Sequence, residues 1–103
     1  MVKRVEQIIG QLNRVKGAIG YYIIDLDQQV IERVELKDSR YDDSQILEKL
    51  QRVIPLLETD VTNVLVENGE KIFIRKFEEG HFFVFVTSAN VIVGVILKIL
   101  ERF

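Results

Sequence analysis

The chain has 103 residues, of which 48% are hydrophobic, with fourteen Lys and Arg against sixteen Asp and Glu and no cysteine. The net charge of -2 offers no general pull on phosphate backbones or anionic lipid, and the apolar runs at 21–24 and 91–97 fall far short of the ~20 residues that cross a bilayer. Nucleic acid binding and membrane insertion are therefore not expected, and the missing cysteines exclude disulfides, thiolate metal sites and a thiol nucleophile, pointing to a cytoplasmic chain folded as one domain over 1–103.

Val5, Ile8, Ile9, Leu12 and Val15 recur at three- and four-residue steps and predict an amphipathic first helix from Val2 onward, closed by Gly17. Glu6, Gln7, Gln11 and Asn13 interrupt what would have to be the apolar core of a signal peptide. Ala18 to Ile24 is apolar on both alternation sets, as a central strand covered on two faces would be. After the turn chemistry of Asp25-Leu26-Asp27-Gln28, Val30, Glu32, Val34 and Leu36 alternate against Ile31, Arg33, Glu35 and Lys37, which suits an edge strand.

A polar loop over 37–44 ends in Asp42, Asp43 or Ser44, each able to cap a second helix over 43–58 whose stripe is Ile46, Leu47, Leu50, Val53, Ile54 and Leu57. Pro55 lacks a backbone donor and clashes with the preceding turn, so this helix should kink or end there. Strands at 61–67 and 70–77 flank Asn68-Gly69, a pair that tolerates the positive φ of a type I′ hairpin turn. Glu79-Gly80 makes the next turn and 81–87 is a second two-faced apolar strand, expected beside the first. A third helix is expected from a Ser88 cap to Arg102, with Asn90, Gly94, Lys98, Glu101 and Arg102 as a narrow polar stripe on a cylinder otherwise buried. The order helix, two strands, helix, three strands, helix predicts an α+β fold: a three-layer α/β/α sandwich around a central five-stranded antiparallel sheet.

Catalytic chemistry is hard to assemble from these residues. His81 is the only histidine, so a nucleophile–base pair has one candidate base, and it sits at a strand start beside a turn. The six glycines form neither a phosphate-binding loop nor a dinucleotide fingerprint. Asp25 and Asp27 lack the further oxygen ligands of a calcium loop. No catalytic residue, cofactor or metal is expected, and the chain is read as a non-enzyme. Tyr21, Tyr22, Phe82, Phe83 and Phe85 suit a packed interior, with a small-ligand pocket as the competing use.

The strand at 61–67 carries Val61, Val64, Leu65 and Val66, no proline, and acids only near its ends. Such an edge is a template for pairing with another chain, and a second copy is the simplest partner. A homodimer is expected with this strand against its copy and the second helix beside its own, through Ile46, Leu50, Val53, Thr62, Val64 and Val66.

Two stretches then resemble roadblock-type domains, the family of dynein light chains and of bacterial and archaeal partners of small GTPases. They are Val15-Lys16-Gly17-Ala18-Ile19-Gly20-Tyr21-Tyr22-Ile23-Ile24-Asp25, and Phe82 to Thr87 followed by an Asn-containing helix start with Gly94. The likeness spans 2–103, departing at Gln28, where the family often has glycine, and at Pro55. It implies homodimers whose second helices form a platform for a Ras-like GTPase, with Arg40, Asp43, Gln45, Lys49 and Arg52 placed for that partner. It does not nominate an arginine acting in trans on GTP hydrolysis. A ligand sensor using the aromatic interior, and a scaffold with no GTPase, are the alternative readings.

Overall fold

The computed structural model describes residues 2–25, 29–35, 42–57 and 61–102. The expected turn at 25–28 with Gln28, and the loop carrying Arg40, lie wholly or mainly outside the described residues. The elements are α1 (Val2–Leu12), β1 (Ala18–Asp25), β2 (Gln29–Glu35), α2 (Asp43–Val53), a 3₁₀ turn (Ile54–Leu56), β3 (Asn63–Glu67), β4 (Glu70–Glu78), β5 (His81–Ser88) and α3 (Val93–Leu100).

The strands form one antiparallel sheet in the order β2-β1-β5-β4-β3. β1 and β5 sit inside it because their two-faced apolar sequences need cover on both sides, and nearly every residue of each is buried. On one face Ile19, Tyr22, Ile24, Ile72, Ile74, Phe82, Val84 and Val86 pack with Ile46 and Leu50 of α2. On the other, Ala18, Tyr21, Phe73, Phe83 and Phe85 pack with Ile8 and Leu12 of α1, Val91, and Ile96 and Leu100 of α3. The result is three layers.

The register of β1 against β5 shifts between Ala18 and Gly20. That bulge reverses the alternation phase, so Ala18 and Tyr21, three residues apart, share one face while Ile19 and Tyr22 share the other. Tyr21 stacks on Phe83 at 5.5 Å between ring centroids and Phe73 tilts against Phe85 at 6.3 Å. Each such ring contributes roughly 1.5–3 kcal/mol by leaving water. The aromatic residues that a ligand pocket would have used are therefore core.

Local chemistry explains the turns. Asn68 and Gly69 take φ of 52° and 78°, the two positive values a type I′ hairpin requires, and bring β3 back onto β4. Gly17 has φ of 100° and lies where a Cβ would come within 2.7 Å of the Ser88 hydroxyl; its carbonyl accepts the Ser88 N–H at 2.8 Å, tying the α1–β1 turn to the end of β5.

Four expectations need correction. α1 stops at Leu12, and turn hydrogen bonds carry the chain through Arg14 and Val15 to Gly17. The second helix, expected over 43–58, ends at Val53, ahead of Pro55 as the proline ring requires, and Pro55 enters a 3₁₀ turn near its start, where a missing N–H costs nothing, so the element order gains one short helix. α3 begins at Val93 rather than after Ser88: Ser88 finishes β5, bound to Gly17, and Val91 is buried in the bend between them. Nor is α3 mostly covered, since only Ile96 and Leu100 are fully buried and Val95 is exposed.

Candidate functional site: the β3 edge and the α2 face

β3 closes one side of the sheet, pairing with β4 and, among the described residues, with nothing beyond it. Leu65 turns toward the α2 layer and Val64 toward the α1–α3 layer, both half-buried against the core. Val66 stands 70% exposed and Val61 is exposed just before the strand. Beside the strand's start, Thr62, Arg75 and Val61 line a small cavity of about 220 Å³ with Leu97 and Glu101 of the neighbouring helix region. There the Thr62 Oγ1 and the Arg75 Nε are buried without a hydrogen-bond partner among the described residues. A buried polar atom left so costs about 1–3 kcal/mol, which makes this end of the edge receptive to an added donor or acceptor.

The start of α2 is fixed by a capping box. The Asp42 carboxylate accepts the Gln45 N–H at 2.9 Å and the Ser44 hydroxyl at 2.8 Å, while the Asp42 N–H donates to the Gln45 side chain at 2.9 Å. Gln45, named for a partner, is thus engaged within its own helix. Asp43 and Arg52 are exposed on the outer surface, and Arg40 lies outside the described residues.

Two interface candidates are spent on the chain's own core: Ile46 is 2% and Leu50 1% exposed, because the apolar stripe of α2 faces the sheet. Of the α2 residues named for self-association, half-buried Val53 remains at the margin. Lys49 is likewise withdrawn from the platform, since it is buried and its ammonium pairs with the Glu67 carboxylate at the end of β3. The signal was present in the sequence: Ile46, Lys49, Leu50 and Val53 follow the i, i+3, i+4, i+7 pattern, so Lys49 stands inside the stripe. Glu70, opposite Glu67 in the ladder, is also buried, with its Oε1 lacking a hydrogen-bond partner among the described residues.

At the far end of the sheet His81 lies half-buried, with Nε2 3.2 Å from the Asp25 carboxylate and Nδ1 2.9 Å from the Glu79 carbonyl and 3.6 Å from the Glu78 carboxylate. It fastens the start of β5 to the end of β1 and has no hydroxyl nucleophile in this set of neighbours. On the α1–α3 side Tyr21 donates to Glu32 at 3.4 Å; burial, and then the Glu32 charge and hydrogen bond, raise its phenol above the ordinary value of 10.0. Among the described residues no group of three or more His, Asp and Glu is arranged to hold a metal, and no helix is long and apolar enough to cross a membrane.

The sequence matches no protein-family model and no curated protein. The three-dimensional form does find matches. MglC from Myxococcus xanthus superimposes with a TM-score of 0.71 at 16% identity, over 95% of this chain and 91% of that one. A structure of MglB with a tetrameric arrangement gives 0.67 at 16% identity, over 97% and 90%. A Roadblock/LC7 domain from Streptomyces avermitilis gives 0.64 at 13% identity, over 89% and 83%. The chain has the roadblock fold. The mixed α/β architecture, an antiparallel sheet with three α-helices, agrees with the sequence resemblance, and Pro55 has not displaced it.

Proposed function

We propose that residues 1–103 form a single non-catalytic domain that works as a homodimer, pairing β3 with β3 of a second copy and presenting the two α2 faces to a small Ras-like GTPase. The observation that carries this reading is the β3 edge: a terminal strand with an exposed valine, half-buried neighbours on both faces and two orphaned polar atoms at its start. Natural monomers blunt such edges with charge, proline or bulges, and the segment from Asn63 to Val66 has none of these. The roadblock fold supports the reading, because the sequence resemblance implies joined sheets and a shared α2 platform. The interface then consists of the β3 edge, with Thr62, Val64 and Val66 on its α1–α3 face and Val53 on the α2 face, and the exposed Asp43 and Arg52 form the outward surface for the GTPase.

The test separates assembly from partner. Val66 is exposed, so Val66→Lys leaves the protomer's core intact but places two ammonium groups near the dimer axis. Light scattering across a wide concentration range should show a dimer for the parent, and a dissociation constant weaker by on the order of a hundredfold, about 2.7 kcal/mol, for the variant. A monomeric parent removes the dimer. Binding of GDP- and GTP-loaded Ras-like GTPases, measured against the parent and against Asp43→Lys/Arg52→Glu, tests the platform: loss of binding in the double variant is expected. A dimer that binds no GTPase in either state leaves a scaffold and removes the regulator.

A further inference from the structure

The face of the sheet opposite α2 carries a second surface that the GTPase reading does not use. α1 ends early and α3 starts late, so the two helices do not close over the chain between them. The gap is a groove of about 670 Å³, within the size range of sites that enclose several side chains of a ligand. Its apolar wall is Val15, Ile92, Val95 and Ile99, of which Ile92 is 71% and Val95 48% exposed. Its rim carries the exposed cations Arg14 and Lys16, and no acidic side chain among the described residues lines it. Ser88, Asn90 and Gln11 add hydrogen-bonding groups at the border.

These features select among occupants. A second copy presenting the same groove would oppose Arg14 and Lys16 with Arg14 and Lys16, a like-charge contact that disfavours self-association here. A flat anionic membrane suits protruding apolar residues, whereas Val15 and Ile99 are half-buried and line a recess. A concave apolar slot with a cationic border fits an amphipathic helix that buries its apolar face and carries acids along its flanks. We propose that the α1–α3 groove is a docking site for an acidic amphipathic helical segment of another protein, with Val15, Ile92, Val95 and Ile99 receiving its apolar face and Arg14 and Lys16 pairing with its carboxylates. The site lies in a different layer from α2 and is independent of the dimer and its GTPase.

The experiment uses the full chain labelled with ¹⁵N and three probes. They are a synthetic helical peptide of about 16 residues, long enough for several turns, with leucines at i, i+3, i+4 and i+7 and glutamates flanking them; its twin with lysine for each glutamate; and anionic phosphatidylglycerol vesicles. The acidic peptide should shift the amides of 11–17 and 88–99 saturably, and bind about tenfold or more tightly than its twin. Arg14→Glu/Lys16→Glu should weaken the acidic peptide by about tenfold or more, and Val95→Asp should do the same through the apolar wall. All three substituted residues are exposed, and retention of the parent amide pattern elsewhere shows that each variant is folded. Equal binding of both peptides, shifts centred on another surface, no binding of either peptide, or release of vesicles but not peptide by these variants would each overturn the proposal.

Discussion

Replacing Gly17 by alanine tests the junction on which both α1 and β5 depend. Two costs arise. An L side chain at φ of 100° is held in a region that carries about 1–3 kcal/mol of strain, and the new Cβ would meet the Ser88 Oγ at 2.7 Å, forcing that side chain off its rotamer for roughly 0.5–1.5 kcal/mol. Alanine also restricts the unfolded chain, returning about 0.4–1 kcal/mol. The expected net loss is therefore about 0.5–4 kcal/mol, read as a drop in Tm of roughly 4–8 °C for each kcal/mol in a domain of this size, at fixed protein concentration because a dimer's Tm depends on it. Urea unfolding of Gly17→Ala, Ser88→Ala and the double variant separates the two costs: removing the hydroxyl should recover the steric part and leave the backbone part. A Gly17→Ala protein as stable as the parent would refute the reasoning, and full recovery in the double variant would refute the backbone contribution.

Asp42→Ala removes the acceptor of the capping box and should cost about 1 kcal/mol in chemical denaturation, whereas Asp42→Asn should keep most of it. Phe83→Ala empties the centre of the α1–α3 layer where Tyr21 stacks, and a loss of about 3–5 kcal/mol is expected in denaturant unfolding followed by circular dichroism. Leu56→Ser alters a side chain 80% exposed and should stay within about 0.5 kcal/mol of the parent. Tyr21 has a folded-state pKa above its unfolded value of 10.0, so the folded state holds the proton more tightly; its contribution is complete below 10.0 and is lost as pH rises through the folded pKa. Stability in that alkaline window should fall less steeply in Tyr21→Phe than in the parent.

Much of the architecture is legible before any coordinates. The two-faced apolar runs at 18–24 and 81–87 identify the central strands, Asn68-Gly69 the hairpin, Pro55 a kink or end of α2 and Asp42, Asp43 or Ser44 its cap, because each of these depends on a few neighbouring residues and on fixed rules of periodicity and turn geometry; the structure chose the end and Asp42. The site was legible only as an edge. Whether an apolar position on a helix feeds its own sheet or a partner is not written in its spacing, and Ile46 and Leu50 went to the sheet. Lys49 looks like a surface charge until the end of β3 brings Glu67 to it, and Val91-Ile92-Val93 looks like helix until Gly17 claims Ser88 for the end of β5. The α1–α3 groove follows from that last contact, since a helix delayed to Val93 leaves Ile92 and Val95 uncovered. Local sequence decides which segments must hide apolar surface; only the packing of distant segments decides what hides each one and which residues are left facing water.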